Sequence, residues 1–397
     1  MKKLLKIATL VPCALGFSPM LQAAESLEDL SAQLEEIQQK ILILEAERAV
    51  NAEAREWRYA DSVVHFAGYA DTNFVDTDGG DGEFTVGNFA PIFHYRYGDI
   101  LMLESELEVE VNEEGETEVA LEYLTVDAFL NDYVALVAGK FLSPIGQFRQ
   151  NLHPSWINKL ASAPPGFGHD GAAPVSDVGV QLRGGFPLGG VRSNYALFVS
   201  NGPIIKAEIE DGEFELDGVE AEGTSSDNDG EKVYGGRFGI LPARHLEIGF
   251  SLATGKATVA EIENGDSALL SGEGARDYDV LGMDFAYQYN DFQLRGEYVE
   301  TDVGGTTQGV AASGGASWET WYTQASYRPG QSKFEYVTRY AEFDSPHSSR
   351  DQEQIAIGMN YLFTNSALLK ATYEFNDGIT GSDADEDRLL VQLTYGF

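Results

Sequence analysis

Apolar and polar residues alternate strictly between Leu101 and Asn112, where the chain reads LMLESELEVEVN. Leucines, a serine and valines occupy one set of positions. The other set holds Met102 followed by Glu104, Glu106, Glu108 and Glu110. Successive side chains of a β-strand point to opposite faces, whereas a helix needs apolar spacings of three and four. The stretch is therefore predicted as a strand with one apolar and one acidic face, which by itself also fits the edge of a soluble sandwich.

The same alternation recurs from Val63 to the C-terminus, in runs of about 10 to 13 residues separated by turn-forming residues. Short connections are predicted at 98–99, 131–132, 187–190, 241–244, 290–291, 328–331 and 363–366. Long polar connections are predicted near 76–84, 112–117, 143–176, 201–231, 257–276, 302–315, 344–350 and 376–386. The pattern predicts about sixteen strands in an up-and-down meander, with tight turns at one end and long loops at the other.

This plan is that of a transmembrane β-barrel of the outer membrane, which has an even strand number and apolar-out, polar-in alternation. About eleven residues at ~3.3 Å each, tilted by about 45°, span the apolar band of roughly 25 Å. Aromatic residues cluster at strand ends, where interfacial girdles lie: Tyr95, Tyr97, Tyr287, Tyr289, Tyr327, Tyr373, Phe375, Tyr395 and Phe397. The fold is predicted as all-β, an antiparallel barrel over residues 59–397 preceded by a short coiled-coil helix.

The N-terminus is predicted to be a secretory signal over residues 1–24. It has three lysines, an apolar stretch from Ile7 to Phe17 and small residues at Ala23 and Ala24. Cys13, the only cysteine, lies in a faint lipoprotein-like box, but Pro12 argues against that interpretation. The exported chain would then contain no disulfide, and its net charge would change from −38 to −38 − 3 = −41. Nucleic acid is excluded as a partner on this charge.

Residues 25–58 carry a heptad pattern typical of a helix. Its apolar positions are Leu27, Leu30, Leu34, Ile37, Ile41 and Leu44. One interpretation is a single amphipathic helix packed on the rest of the chain. The other, which we favour, is a short periplasmic coiled coil between protomers.

Two stretches of the sequence resemble known porins. The final strand, RLLVQLTYGF, is similar to the terminal strand that outer-membrane barrels present to their assembly machinery, with Phe397 at its end. The region GKFLSPIGQFRQNLHPSWINKL, followed by PVSDVGVQLRGGFPLGG, resembles the phosphate-selective porin O/P family, with motifs within 139–190. The resemblance implies a sixteen-stranded homotrimer with an N-terminal segment, in contact with outer-membrane lipid and lipopolysaccharide.

In such a barrel the polar face of each strand points into the lumen, because an ionised side chain facing lipid costs a few kcal/mol. Acidic side chains are thereby predicted to line an early wall: Glu104, Glu106, Glu108, Glu110 and Glu122. Basic side chains are predicted to line a later wall: Arg183, Arg192, Arg237, Arg295, Arg339, Lys370 and Arg388. Opposed walls of this kind would create a transverse field across the pore. Alternatively, the charges pair across strands or only solvate a polar interior.

The longest loop, 143–176, is predicted to fold inward as the constriction, with Arg149, His153, Lys159 and His169. Phosphate selectivity would require a denser cluster of bases than this loop provides. A second loop, 208–231, is rich in Asp and Glu. It is interpreted as a solvated surface, or alternatively as a weak divalent-cation site.

Candidate catalytic and cofactor motifs are incomplete. Residues 166–171 match G-x-G-x-x-G but follow two prolines and open no helix, and fragments at 76–78 and 227–230 do not complete a calcium loop. We therefore predict no catalytic residue, metal or cofactor. The predicted function is passive diffusion of small hydrophilic solutes and ions through a trimeric outer-membrane porin. The alternatives are a phosphate- or anion-selective porin, a barrel lipase or protease, and a structural tether for the envelope.

Overall fold

The computed structural model describes residues 40, 62–112, 115–169, 171–210, 213–227, 229–263, 265–309 and 314–397. The predicted signal (1–24) lies outside the described residues, as does the predicted coiled coil (25–58) except for Lys40. The fold below belongs to the compact unit Val63–Phe397, whose first strand begins one residue earlier.

Eighteen β-strands occur in these ranges. They are β1 (Ser62–Thr77), β2 (Glu83–Tyr97), β3 (Leu101–Val111), β4 (Thr117–Asn131), β5 (Val134–Leu142), β6 (Ser176–Leu188), β7 (Val191–Ser200), β8 (Ile204–Glu210), β9 (Glu213–Glu220), β10 (Val233–Ala243), β11 (Leu246–Glu263), β12 (Arg276–Tyr289), β13 (Phe292–Val303), β14 (Ala316–Tyr327), β15 (Phe334–Asp344), β16 (Gln352–Leu362), β17 (Ala367–Asp377) and β18 (Arg388–Gly396). Short helical turns are Phe148–Leu152, Ser267–Leu270, Ser348–Arg350 and Asp383–Asp385. Within the described ranges, no helix has the length and apolarity needed to cross a membrane.

Sixteen of these strands form one closed antiparallel barrel. Each pairs with its sequence neighbour, β7 pairs with β10, and β1 pairs with both β2 and β18 to close the cylinder. The β1–β18 register places Tyr69 opposite Gly396. The predictions of sixteen strands and of alternating short turns and long loops are thereby confirmed.

Apolar residues point outward along the barrel strands and polar residues point inward. On β11, Ile248, Phe250 and Leu252 are exposed, whereas Ser251 is buried. The aromatic residues predicted to form girdles are likewise exposed. A surface of this kind is stable against lipid, because hydrocarbon accepts apolar side chains and every backbone group is paired within the closed sheet.

The C-terminal residue closes the seam of the barrel. Phe397 donates its backbone N–H to Gly68 O at 2.9 Å and accepts from Gly68 N at 3.1 Å. Its ring lies 5.6 Å from the ring of Phe66 and 6.4 Å from that of Phe89. Phe397 is thus a structural part of the β1–β18 junction.

The long connection between β7 and β10 differs from the prediction of an irregular, solvated loop. It contains the β8–β9 hairpin, and β8 also pairs in parallel with the end of β11. Ile205 and Leu216, on the apolar side of this hairpin, are buried, and so is Asp217. The alternation in IIKAEIE and EFELDGVE, on either side of an Asp-Gly pair, is typical of a β-hairpin. The many acidic residues of this stretch favoured its interpretation as a solvated loop instead.

Candidate pore interior

The loop 143–175 folds into the barrel and binds its inner wall. The backbone N–H groups of Gln147 and Phe148 donate to Glu297 Oε2 at 2.8 and 3.1 Å, and the N–H of Gly146 donates to Ser251 Oγ at 3.1 Å. Tyr322 O–H donates to the second Glu297 oxygen at 2.8 Å. A buried carboxylate on β13 therefore anchors the first part of the loop.

Close approach at this anchor requires glycine. Gly146 has φ +71°, and a Cβ there would lie 2.4 Å from Glu297 Oε2. Beyond it, the Phe148 and Phe167 rings pack against each other and against Tyr322 with centroid distances of 5.1 to 6.5 Å. These contacts belong to a continuous apolar core inside the barrel, because the hairpin residues Ile205 and Leu216 share it.

The second part of the loop is held by basic side chains of the wall. Arg339 donates to the carbonyls of Ser162 and Ala163 at 3.1 and 3.0 Å. Lys370 donates to the carbonyls of Ser155 and Leu160, the latter at 3.1 Å. Arg339 and Lys370, predicted to line the pore, point inward but are 1% and 0% exposed because the loop covers them.

Three of the other predicted basic residues, Arg183, Arg237 and Arg388, are paired with carboxylates. Arg237 contacts Asp284 at 2.7 Å and Glu247 at 3.1 Å. Arg388 lies 2.7 Å from Glu374. Arg183 contacts Asp127 at 2.5 Å. The other two have different surroundings: Arg295 lines a cavity near the short turns, and Arg192 is exposed beside the β6–β7 turn.

The predicted acidic residues occupy the opposite wall, on β3 and β4, and most are held by neutral or imidazole donors. Tyr69 O–H donates to Glu106 at 2.9 Å, Asn88 donates to Glu108, and Glu104 lies 3.1 Å from His94. Glu122 is the extra residue of a β-bulge, because Glu106 pairs with Tyr123 and the next residue pairs with Leu121. Glu110 is exposed at the long-loop end of β3.

The four predicted constriction residues fall in different surroundings. Lys159 forms an ion pair with Glu335, and His153 lies 3.7 Å from Glu106. Arg149 is buried among the acidic wall residues. His169 Nδ1 lies 2.5 Å from a Glu222 oxygen. That hydrogen bond raises the pKa of the His169 imidazole and lowers the pKa of the Glu222 carboxyl group.

Polar cavities remain between the loop and the acidic wall. One of 310 Å³ is lined by Glu104, Glu106, His153 and Arg183, together with other polar and apolar residues. A second, of 190 Å³, is lined by Arg149, Glu108, Glu122, Asp71 and His169 among others. The loop thus packs against the wall formed by β13 to β18, and these two cavities lie between it and the acidic wall.

The β8–β9 hairpin is fixed to the long loops on the other side of the barrel. Arg350 Nη2 lies 2.8 Å from Asp217 Oδ1, and a His347 ring nitrogen lies 3.1 Å from the Leu216 carbonyl oxygen. Because both partners belong to the loop between β15 and β16, the hairpin crosses part of the long-loop end of the barrel. Sequence reasoning did not find this hairpin or the Glu297 anchor, although Glu297 shares the inward parity of Arg295.

No group of three or more His, Cys, Asp or Glu side chains in the described ranges is arranged to hold a metal ion.

The fold is that of sixteen-stranded outer-membrane porins. The barrel is similar to an anion-selective porin from Comamonas acidovorans (17% identity, TM-score 0.56, covering 85% of this chain and 100% of that one). It is also similar to OmpF of Salmonella typhi in complex with daunomycin (14%, TM-score 0.55, 85% and 98%) and to the trimer form of OmpT of Vibrio cholerae (14%, TM-score 0.52, 85% and 99%). No protein-family model and no curated relative matches the sequence.

Proposed function

We propose that the protein is an outer-membrane porin that allows passive diffusion of small hydrophilic solutes. The observation that carries the proposal is the closed barrel with an apolar outer face and polar cavities between an inserted loop and an acidic inner wall. A homotrimer in contact with lipid and lipopolysaccharide is part of the proposal, supported by the trimer form of the similar OmpT. Phe397 is proposed to be recognised by the barrel assembly machinery.

We further propose that the channel prefers cations. Of the bases of the later wall, Arg237 and Arg388 are paired with carboxylates, and the inserted loop covers Lys370. In contrast, Glu106 and Glu108 accept hydrogen bonds from neutral donors, and Arg149 is a single cation facing three carboxylates, Asp71, Glu108 and Glu122, so the acidic wall keeps an excess of negative charge. Uncompensated carboxylates beside a water-filled path attract cations and repel anions.

The experiment is the reversal potential of the purified channel across a planar bilayer in a potassium chloride gradient. The expected sign is that of a cation-preferring channel, reduced in Glu108→Gln and unchanged in the surface variant Arg244→Gln. A preference for chloride would overturn the proposed selectivity and leave the porin function standing. Absence of any conductance from correctly folded protein would overturn the porin function itself.

A phosphate- or anion-selective channel is the second candidate. It is favoured by a cavity of 730 Å³ near the short turns, whose lining includes Lys159, Arg295, Arg328 and Lys333. Glu335 partly neutralises this group through its ion pair with Lys159. Block of potassium chloride current by added phosphate would favour this candidate over the first.

The N-terminal segment is assigned by sequence pattern alone. We propose that residues 1–24 are removed on export and that 25–58 form a periplasmic coiled coil between protomers, preceding the barrel domain 59–397. A tether to the cell envelope is the alternative role. Deletion of 26–56 separates the two, because loss of trimers indicates the first role and loss of envelope attachment with intact trimers indicates the second.

A further inference from the structure

Arg149 is a buried cation whose hydrogen-bonding capacity is not met by the chain. Its side chain is on the inserted loop, and the residue is only 7% exposed. Neither Nε nor Nη2 has a hydrogen-bond partner among the described residues, and both atoms are buried. Buried polar groups in folded proteins are almost always hydrogen-bonded, so an unmet pair of donors indicates that water or a solute occupies the adjoining space.

That space is the 190 Å³ cavity, whose lining includes Arg149, Glu108, Glu122, Asp71 and His169. At ~30 Å³ per molecule it has room for roughly six waters, or for one small organic solute. The surroundings of the guanidinium are acidic: Glu108, Glu122 and Asp71 line the same cavity, and Glu222 is also within electrostatic range of Arg149. Glu122 is the extra residue of the β-bulge in β4, and a bulge of this kind changes the direction of a side chain next to a site.

The two unmet donors lie on the same edge of the guanidinium. The Nε–H and one Nη2–H of an arginine point in parallel, and this edge binds the two oxygens of a carboxylate in a bidentate manner. A lone anion in this cavity would also face Glu108, Glu122 and Asp71, which repel it. A lone cation would be attracted to those carboxylates but would leave the Arg149 donors unmet.

A solute that carries both charges satisfies both sides of the cavity. We propose that the cavity between Arg149 and the pair Glu108 and Glu122 is a transient binding site for small zwitterions, of the α-amino acid class. The carboxylate of the solute accepts from Nε and Nη2 of Arg149, and its ammonium group donates to the two glutamates. This inference rests on the proposed porin function and names the class of solute for which the channel has a site.

The test uses the full-length channel in planar bilayers, with L-alanine as the probe at neutral pH. We expect alanine to reduce the potassium chloride conductance saturably, because occupancy of the site obstructs the path. Acetate and methylammonium, which each carry one of the two charges, should show no saturation in the same range. In Arg149→Gln the half-saturating alanine concentration should rise by roughly ten-fold, since a charge-assisted bidentate contact is lost.

Two further variants distinguish charge from geometry. Arg149→Lys retains the charge without the fork and should give an intermediate value, whereas Arg244→Gln, in the exposed β10–β11 turn, should match the wild type. Conductance that alanine leaves unaffected, or that it reduces equally in the wild type and Arg149→Gln, overturns the zwitterion site alone. A wild-type barrel that conducts nothing overturns the porin function and this inference with it. If Arg149→Gln does not fold, the comparison of alanine, acetate and methylammonium on the wild type still decides.

Discussion

The anchor formed by Glu297 predicts that one substitution on the wall will release the inserted loop. We expect Glu297→Leu to detach the first part of this loop from β13. The leucine fills a similar volume but cannot accept the N–H groups of Gln147 and Phe148 or the hydroxyl of Tyr322. The loop should then sample positions away from the wall.

The size of the effect follows from the donors left behind. Each buried N–H without a partner costs about 1–3 kcal/mol, and the Tyr322 hydroxyl can rotate to another acceptor, so the two backbone groups together cost about 2–6 kcal/mol. At ~1.4 kcal/mol per factor of ten, docking of the loop weakens by a factor of about thirty to about twenty thousand. Even the lower value is large enough to populate an undocked loop if docking is only moderately stable.

Single-channel recording and limited proteolysis measure the two consequences. We expect larger, noisier conductance steps and faster cleavage within 143–175 in Glu297→Leu. Glu297→Gln should remain close to the wild type, because its amide oxygen still accepts both N–H groups and its NH₂ group can donate to Tyr322. Glu300→Leu is the matched control, since Glu300 lies on the opposite face of the same strand. Identical conductance and protease resistance in Glu297→Leu and the wild type would refute the anchor.

Three other predictions concern the loops and the seam. The hydrogen bond between His169 and Glu222 raises the pKa of the imidazole and lowers the pKa of the carboxyl group. The stability that protonated His169 gives to the folded loop is therefore lost as pH rises through the folded pKa of His169. The stability that ionised Glu222 gives is lost as pH falls through the folded pKa of Glu222. Protease cleavage near His169 should therefore be faster at about pH 9 than at about pH 6, a difference that His169→Gln should remove. Arg350→Gln should destabilise the docked hairpin by about 1 kcal/mol, a modest value because Asp217 is buried but Arg350 is part-exposed. Faster amide hydrogen exchange in 204–220 would measure this loss, and unchanged exchange would contradict it. Phe397→Ala should lower the stability of the seam by about 1–2 kcal/mol through lost ring contacts, seen as a lower temperature of barrel unfolding in detergent, whereas Phe397→Tyr should retain it.

Strand parity explains which parts of the interior were accessible to sequence reasoning. The inward position of Glu106 and Arg237 follows from alternation with exposed apolar neighbours, because each barrel strand has one face toward lipid. The partners of those side chains do not follow. Arg237 pairs with Asp284, 47 residues away, and Glu106 with Tyr69, 37 residues away, and only the closed barrel sets these distances.

The sequence by itself determined the sixteen barrel strands and the face that each presents to lipid, because a period of two and the contrast between lipid and water are local properties of the chain. Only the tertiary structure decided where the long loops go. The path of 143–175 depends on contacts with Glu297, Arg339 and Lys370, which come from distant strands. The same contacts cover the bases of the later wall and leave Arg149 facing carboxylates. Which charges meet the solute is therefore a property of loop packing across the barrel, which no local pattern encodes.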